Sequence, residues 1–311
     1  MSLRAVFFGT PEFAVPSLDR VAESGTRVAL VVTQPDRPVG RHSQARPSAI
    51  AAAAARRGLP VAKPERLKGN AALLDQLRAA ASDVGIVVAY GRLLPDEILE
   101  VPRLGFVNVH ASLLPKYRGA SPIQAALLAG DGETGVVTMR VARELDSGPI
   151  YMERRLSIQD GEDAGSLSQR LALIGAELLV KTLAALEHGT AAPRAQEGVP
   201  SFCKPLRRED GEIDWSRPAG EIMRRLRAFT PWPGLYTFWG GERLKILEVD
   251  RGPATERSPG SLWREEDRLL AAAGEGTSLE IRRIQRAGRR AMTAEEFAEG
   301  LRGSRTHLGR M

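Results

Sequence analysis

A single cysteine, Cys203, occurs among the 311 residues, so no disulfide can close within the chain and no cysteine metal cluster is available. That fits a reducing compartment. Aromatic residues make up only 5 % of the chain, and histidine occurs four times, which leaves few groups able to move protons near neutrality. No apolar run approaches the roughly 20 residues of a membrane span. The apolar run before Gly9 is too short for a signal peptide, so the cytoplasm is the expected compartment. There is no internal repeat and no low-complexity tract. The segment Gly9-Thr-Pro-Glu12 follows an apolar run but lacks the second and third glycines of a dinucleotide loop, which argues against NAD.

What is present is the composition of a globular protein, 43 % hydrophobic and 26 % charged, with length enough for two domains. The net charge is +6, and the basic excess leans toward the last third of the chain. Contact with a polyanion would explain this, and so would GC-rich coding, which raises arginine and alanine together. Charge alone leaves both open.

The first part alternates short apolar runs with helical segments. Strands are expected at 4–8, 28–32, 84–89 and 105–109, and helices at 48–57 and 71–80. Thr10-Pro-Glu-Phe13 reads as a helix start with Thr10 as N-cap. Continuous apolar strands separated by helices point to a parallel sheet covered on both faces, of a kind that binds ligands beyond the carboxyl ends of its strands. Two strands at 136–141 and 149–157, joined through Asp146-Ser-Gly148, and a long helix at 164–186 complete this domain, expected over 1–188. Residues 189–204 carry Gly, Pro and polar residues without periodicity and read as a linker. Short strand-like runs at 235–238, 244–249, 261–263 and 279–284 between Gly/Pro turns predict a small β-barrel over 205–311.

The stretch Asn108-Val-His110 ends an apolar run with two polar side chains two residues apart, a spacing that points both the same way on a strand. An amide and an imidazole suit acyl transfer to an amine. The amide donates to the developing oxyanion, and the ring moves the proton from attacking to leaving nitrogen. Asp146 is the candidate carboxylate that would orient His110 and raise its pKa. Elimination favours His110, because His42 lies in a polar loop, His188 beside a helix-ending glycine and His307 near the carboxyl terminus. The bland alternative is that Asn108 and His110 cap the end of a strand. Phe229-Thr-Pro-Trp-Pro-Gly234 reads as a plug between a helix and a barrel in preference to an exposed platform for bases. Arg282, Arg283, Arg286, Arg289 and Arg290 suit RNA contact and a solvated face equally.

Several runs in the chain carry a further signal: Phe8-Gly-Thr-Pro-Glu-Phe-Ala14, Thr33-Gln-Pro-Asp-Arg-Pro38, Val88-Ala-Tyr-Gly91, Asn108-Val-His-Ala-Ser-Leu-Leu-Pro-Lys-Tyr-Arg-Gly119, Leu145-Asp-Ser-Gly148 and Arg227-Ala-Phe-Thr-Pro-Trp-Pro-Gly234. Through them the chain resembles the methionyl-tRNA formyltransferases along nearly its whole length. The resemblance implies an α/β formyltransferase domain of Rossmann-like type, built on a doubly wound, mostly parallel sheet, with a smaller carboxyl-terminal domain of OB-like fold that binds tRNA. It implies formyl transfer from 10-formyltetrahydrofolate to the amino group of methionyl initiator tRNA, with no metal, no membrane and no DNA, by a monomer. Asn108, His110 and Asp146 match the family's catalytic trio, and Ser112, Leu113, Leu114 and Pro115 match a folate-contacting segment. The loop Tyr90–Leu94 and the turn before Asp146 would line the pterin pocket with backbone groups. Residues 34–49 match a loop that meets the tRNA acceptor stem, with Arg37, Arg41 and Arg46 as its cations. The chain departs from the family there: Gly40-Arg41 is followed by His42-Ser43-Gln44 in place of a glycine and two lysines.

Overall fold

The computed structural model describes residues 2–39, 44–299 and 306–310. The chain divides into two compact units. One comprises Met1–Pro122, Glu133–Ser157 and Ser168–Lys204, and the other Ile123–Gly132, Ile158–Leu167 and Pro205–Met311. Among the described residues no helix is long and apolar enough to cross a membrane.

The strands of the first unit, in chain order, are β1 (Arg4–Gly9), β2 (Arg27–Val32), β3 (Arg37–Val39), β4 (Gln44–Arg46), β5 (Val61–Ala62), β6 (Val84–Val88), β7 (Phe106–His110), β8 (Arg118–Gly119), β9 (Glu133–Arg140), β10 (Ile150–Ser157) and β11 (Phe202–Cys203). Seven of them form one sheet in the order β10-β9-β7-β6-β1-β2-β5. The pairings from β7 through β5 are parallel, while β9 pairs antiparallel with both β7 and β10. From β1 the chain winds outward through β2 and β5 on one side, then returns to place β6 and β7 on the other. The reversal between β1 and β6 leaves a crevice beyond their carboxyl ends, where such sheets bind ligands.

Both faces of this sheet are covered. On one, Val6, Phe8, Leu30, Val32, Leu73, Leu77, Tyr90, Ile98 and Phe106 pack as a buried cluster. The Phe8 ring meets Tyr90 and Phe106 edge-on at 5.3 and 5.6 Å between centroids. Each such side chain, fully buried, contributes about 1.5–3 kcal/mol. On the other face the Thr138 hydroxyl of β9 bonds that of Thr182 at 2.7 Å, deep in the interior. Thr182 lies on the long helix Ala164–Glu187.

Two local readings change. Thr10 does not cap a helix: its hydroxyl donates to the Tyr90 carbonyl at 3.1 Å, and a short 3-10 turn at Glu12–Ala14 leads into the helix Val15–Glu23. Residues 189–204, read as a linker, run as part of the first unit. Arg194 and Ile150 exchange two backbone hydrogen bonds of 2.8 and 2.7 Å, and β11 pairs with β8. Backbone hydrogen bonds hold this segment, and they impose no side-chain period that a sequence could display.

The second unit contains β12 (Leu235–Trp239), β13 (Glu242–Arg251), β14 (Leu262–Glu265), β15 (Arg268–Ala272), β16 (Ser278–Arg286) and β17 (Ala291–Thr293). They form an antiparallel sheet in the order β12-β13-β16-β15-β14, with β17 on β16. These ladders make an open path and do not themselves supply the closed OB-like barrel expected from the sequence. The carboxyl-terminal residues touch both free edges instead. Leu262 donates to Thr306 and Leu308 to Gly260 beside β14, while Gly309 donates to Phe238 on β12. That segment satisfies edge groups that would otherwise stand unpaired.

Candidate active site

Asn108 and His110 are placed by strand alternation. Val109, between them, is the register partner of Thr138, whose side chain faces the long helix. Register partners share a face, so Asn108 and His110, one residue to either side of Val109, point to the opposite face, the one on which Phe106 is buried. Phe106 closes the core there, and Asn108 and His110 continue the same row toward the carboxyl end of β7. His110 is only 5 % exposed.

Asp146 comes to them from the β9–β10 connection. Its backbone is left-handed, at φ 47°, a conformation that costs a residue other than glycine about 1 kcal/mol or more and persists only where the surroundings fix it. Gly148, two residues on, lies so close to β9 that a Cβ there would stand 1.8 Å from the Arg140 carbonyl oxygen. Only glycine allows the turn to press against the strand end and carry Asp146 over β7.

The three side chains predicted from the sequence therefore meet. Asn108 Nδ2 stands 3.4 Å from Asp146 Oδ1, a long hydrogen bond. Asp146 Oδ2 accepts the Gly119 N–H at 2.8 Å and stands 3.7 Å from His110 Nδ1. His110 Nε2 lies 3.0 Å from the Tyr117 carbonyl. A carbonyl can only accept, so Nε2 carries a proton and the neutral ring leaves Nδ1 bare, facing a carboxylate. Burial pushes the His110 pKa below its ordinary value, against the opposing pull of Asp146 and of the Tyr117 carbonyl. This differs from the sequence expectation of a raised pKa: the carboxylate acts in the expected direction, and desolvation outweighs it. The result is a neutral imidazole whose bare nitrogen gains a charge partner as soon as a proton arrives.

The segment Ser112–Pro115 follows directly. Ser112 is fully buried and its hydroxyl donates to the Lys116 carbonyl at 2.5 Å, so the side chain shapes the turn. Leu114 is buried as well, which leaves Leu113, Pro115 and the backbone as the surface of this segment. The loop after β6 holds Leu93 exposed at 73 %, and the turn before Asp146 holds Leu145 at 46 %. An ion pair between Arg143 and Asp96, 3.1 Å apart, links the neighbourhoods of these two loops. The Tyr90 hydroxyl is buried without a hydrogen-bond partner. Open apolar side chains beside loop backbone fit the face and edge of a flat heterocycle. Among the described residues no cluster of three or more His, Cys, Asp or Glu side chains is arranged to hold a metal ion.

Of the three arginines expected to meet tRNA, Arg37 and Arg46 are register partners in the β3–β4 ribbon, and Arg46 is exposed. Arg41 lies outside the described residues. In the second unit, Arg282, Arg286 and Arg290 pair with Asp250, Glu242 and Glu296, which favours the solvated-face reading for those three. Trp232 is 54 % exposed at the turn expected to be a plug, while Phe229 beside it is buried. Nothing in the sequence marks the Tyr117 carbonyl, the Gly119 N–H or Gln196, whose amide donates to the Asp146 carbonyl, as members of the site. The two backbone groups have no side-chain signature, and Gln196 sits in an aperiodic stretch.

The chain is similar to known proteins over nearly its whole length. A model of the formyl transferase family matches residues 3–183, and one of the formyl transferase C-terminal domain matches residues 205–302. The methionyl-tRNA formyltransferase of Koribacter versatilis (strain Ellin345) is 46 % identical over 308 residues, covering 98 % of this chain and 98 % of that protein. Among solved structures, an N-formyltransferase from Helicobacter canadensis, in complex with folinic acid and dTDP-3-aminofucose, shares the fold at a TM-score of 0.62. It is 17 % identical, over 91 % of this chain and 99 % of that one. HypX from Aquifex aeolicus, in complex with tetrahydrofolic acid, gives 0.62 at 15 % identity over 97 % of this chain. The chain spans 48 % of that larger protein.

Proposed function

Because this chain belongs to the methionyl-tRNA formyltransferases, within the formyl transferase family, we propose that Asn108, His110 and Asp146 carry its transfer of a formyl group from 10-formyltetrahydrofolate to the free amino group of methionyl initiator tRNA. The observation that supports these roles is the meeting of an amide, a neutral imidazole and a carboxylate at the carboxyl end of β7. The product serves translation initiation.

Attack of the amine on the formyl carbon makes a tetrahedral intermediate with an oxyanion and an ammonium nitrogen. Asn108 donates its amide N–H toward the oxyanion. His110 takes the ammonium proton at Nδ1, and Asp146 stabilises the imidazolium so formed. The ring then returns that proton to the departing folate nitrogen as the carbon–nitrogen bond breaks. Protons balance, and the ring ends neutral as it began. Leu93, Leu145, Leu113, Pro115 and the backbone of Tyr90–Leu94 hold the folate ring, and the segment with Arg37, Arg41 and Arg46 holds tRNA phosphates. The protein acts as a monomer in the cytoplasm and has no role on DNA or membranes.

The test supplies methionyl initiator tRNA with and without 10-formyltetrahydrofolate and measures formyl-methionyl-tRNA. Donor-dependent product is expected. Formylation of a nucleotide-linked amino sugar, with none of tRNA, would overturn the assignment of the acceptor.

A further inference from the structure

Gln196 belongs to the stretch 189–204 and contacts three parts of the site neighbourhood at once. Its Nε2 donates to the Asp146 carbonyl at 2.7 Å and to the Gly148 carbonyl at 2.8 Å. Its Oε1 accepts from Arg118 Nε at 3.1 Å and Nη2 at 2.7 Å. The chemistry fixes which way the amide points. Carbonyls only accept and a guanidinium only donates, so the flipped amide would face acceptor with acceptor and donor with donor. Each side of the group is thereby matched.

We propose that Gln196 is a positioning residue that holds the left-handed turn carrying Asp146 in register with His110 and Asn108. Asp146 is gripped through its side chain by Asn108 and the Gly119 N–H, and through its backbone by Gln196. Gly119 and Arg118 are adjacent on β8, so the strand that donates to the carboxylate also orients the amide that holds its backbone. Without the two Gln196 bonds, the carbonyls of Asp146 and Gly148 lose their bridge to β8, and nothing else described ties the left-handed residue's backbone to that strand. A misplacement of about 1 Å at such a centre costs on the order of 100-fold in rate. Gln196 has this role only if Asp146 belongs to the reacting centre, as proposed above.

Two substitutions separate bonding from space-filling. Gln196→Met keeps the length and removes every polar group. Gln196→Glu keeps the acceptor for Arg118 and removes both donors to the carbonyls. Single-turnover formyl transfer is expected to slow by about 10- to 100-fold in each, with KM for tRNA and for 10-formyltetrahydrofolate within about twofold of the parent. Acting through Asp146, Gln196→Met should add less than about twofold to the loss already caused by Asp146→Asn, since residues that work as a unit are not additive. Either single variant that folds, as judged by a cooperative thermal transition, suffices for the rate comparison. Parental rates in that variant, beside a defective Asp146→Asn, would overturn the role of Gln196 and leave that of Asp146 standing. Multiplicative losses in the double variant would likewise overturn it, because they report an independent effect. Normal turnover in Asp146→Asn would instead remove the reacting-centre assignment itself.

Discussion

His110 Nδ1 stands 3.7 Å from Asp146 Oδ2, while the opposite ring nitrogen donates to the Tyr117 carbonyl at 3.0 Å. The ring is therefore held between two acceptors inside a site that burial keeps unfavourable to charge. Competition between these influences governs how the site handles a proton, and it leads to measurable consequences.

The first concerns pH. The folded-state pKa of His110 is depressed, so its acid limb in a single-turnover rate profile should fall below the ordinary imidazole value of 6.5. Asp146→Asn removes the largest influence that raises the pKa and should move the limb further toward acid. Stability follows the same sign. As pH falls below 6.5, the unfolded chain binds a proton that the buried ring resists, so this group's contribution is complete above 6.5 and is lost on going down through the folded pKa. Thermal unfolding of wild type and His110→Gln between pH 5 and 8 would report it as a shallower acid slope in the variant.

The second concerns the oxyanion. Replacing Asn108 by Ala removes one directed donor, a change that costs about 10²–10³ in the rate constant at comparable sites. Turnover should fall by that order while donor binding, followed by fluorescence quenching or calorimetry, stays close to parental. A loss confined to KM would mean that Asn108 binds ground state and transition state alike.

The third concerns Gly148. A methyl group there would stand 1.8 Å from the Arg140 carbonyl, so the turn must move. Gly148→Ala is expected to cost about 1–3 kcal/mol of stability, in the range of other overpacking changes, and to lower turnover together with the unfolding midpoint. Unchanged activity in a destabilised variant would show that the turn can shift without moving Asp146.

The fourth concerns tRNA. Arg46 is exposed at the end of the β3–β4 ribbon, on the same rung as Arg37. Arg46→Gln should weaken tRNA binding and reduce the slope of log K against log salt by up to about 0.9, the share of one phosphate contact. An unaltered slope would make the ribbon a bystander.

Strand alternation made the heart of the site readable in the sequence. An apolar run that ends in Asn108-Val-His110 can present both polar groups only on one face, and the register of Val109 with Thr138 places them on the face opposite the long helix. The continuous apolar runs of β1, β2 and β6 likewise announce a parallel sheet covered on both sides. What the sequence hid is held by contacts between distant, aperiodic segments. The Gly119 N–H, the Tyr117 carbonyl and the Gln196 amide reach the site through the backbone or across 48–50 residues of chain. The direction of the His110 pKa was concealed for a related reason, since a sequence shows a charge partner more readily than it shows burial. In the second unit, β15 was missed because Arg-Leu-Leu-Ala-Ala lacks alternation: four of its five residues are buried.

The most direct measurement is the single-turnover rate of formyl transfer to methionyl initiator tRNA by His110→Ala, with donor and acceptor both saturating. The proton-transfer role assigned to the ring predicts a fall of at least about 100-fold, with the affinity for a tetrahydrofolate analogue preserved. A rate within about twofold of the parent, under the same conditions, would contradict it.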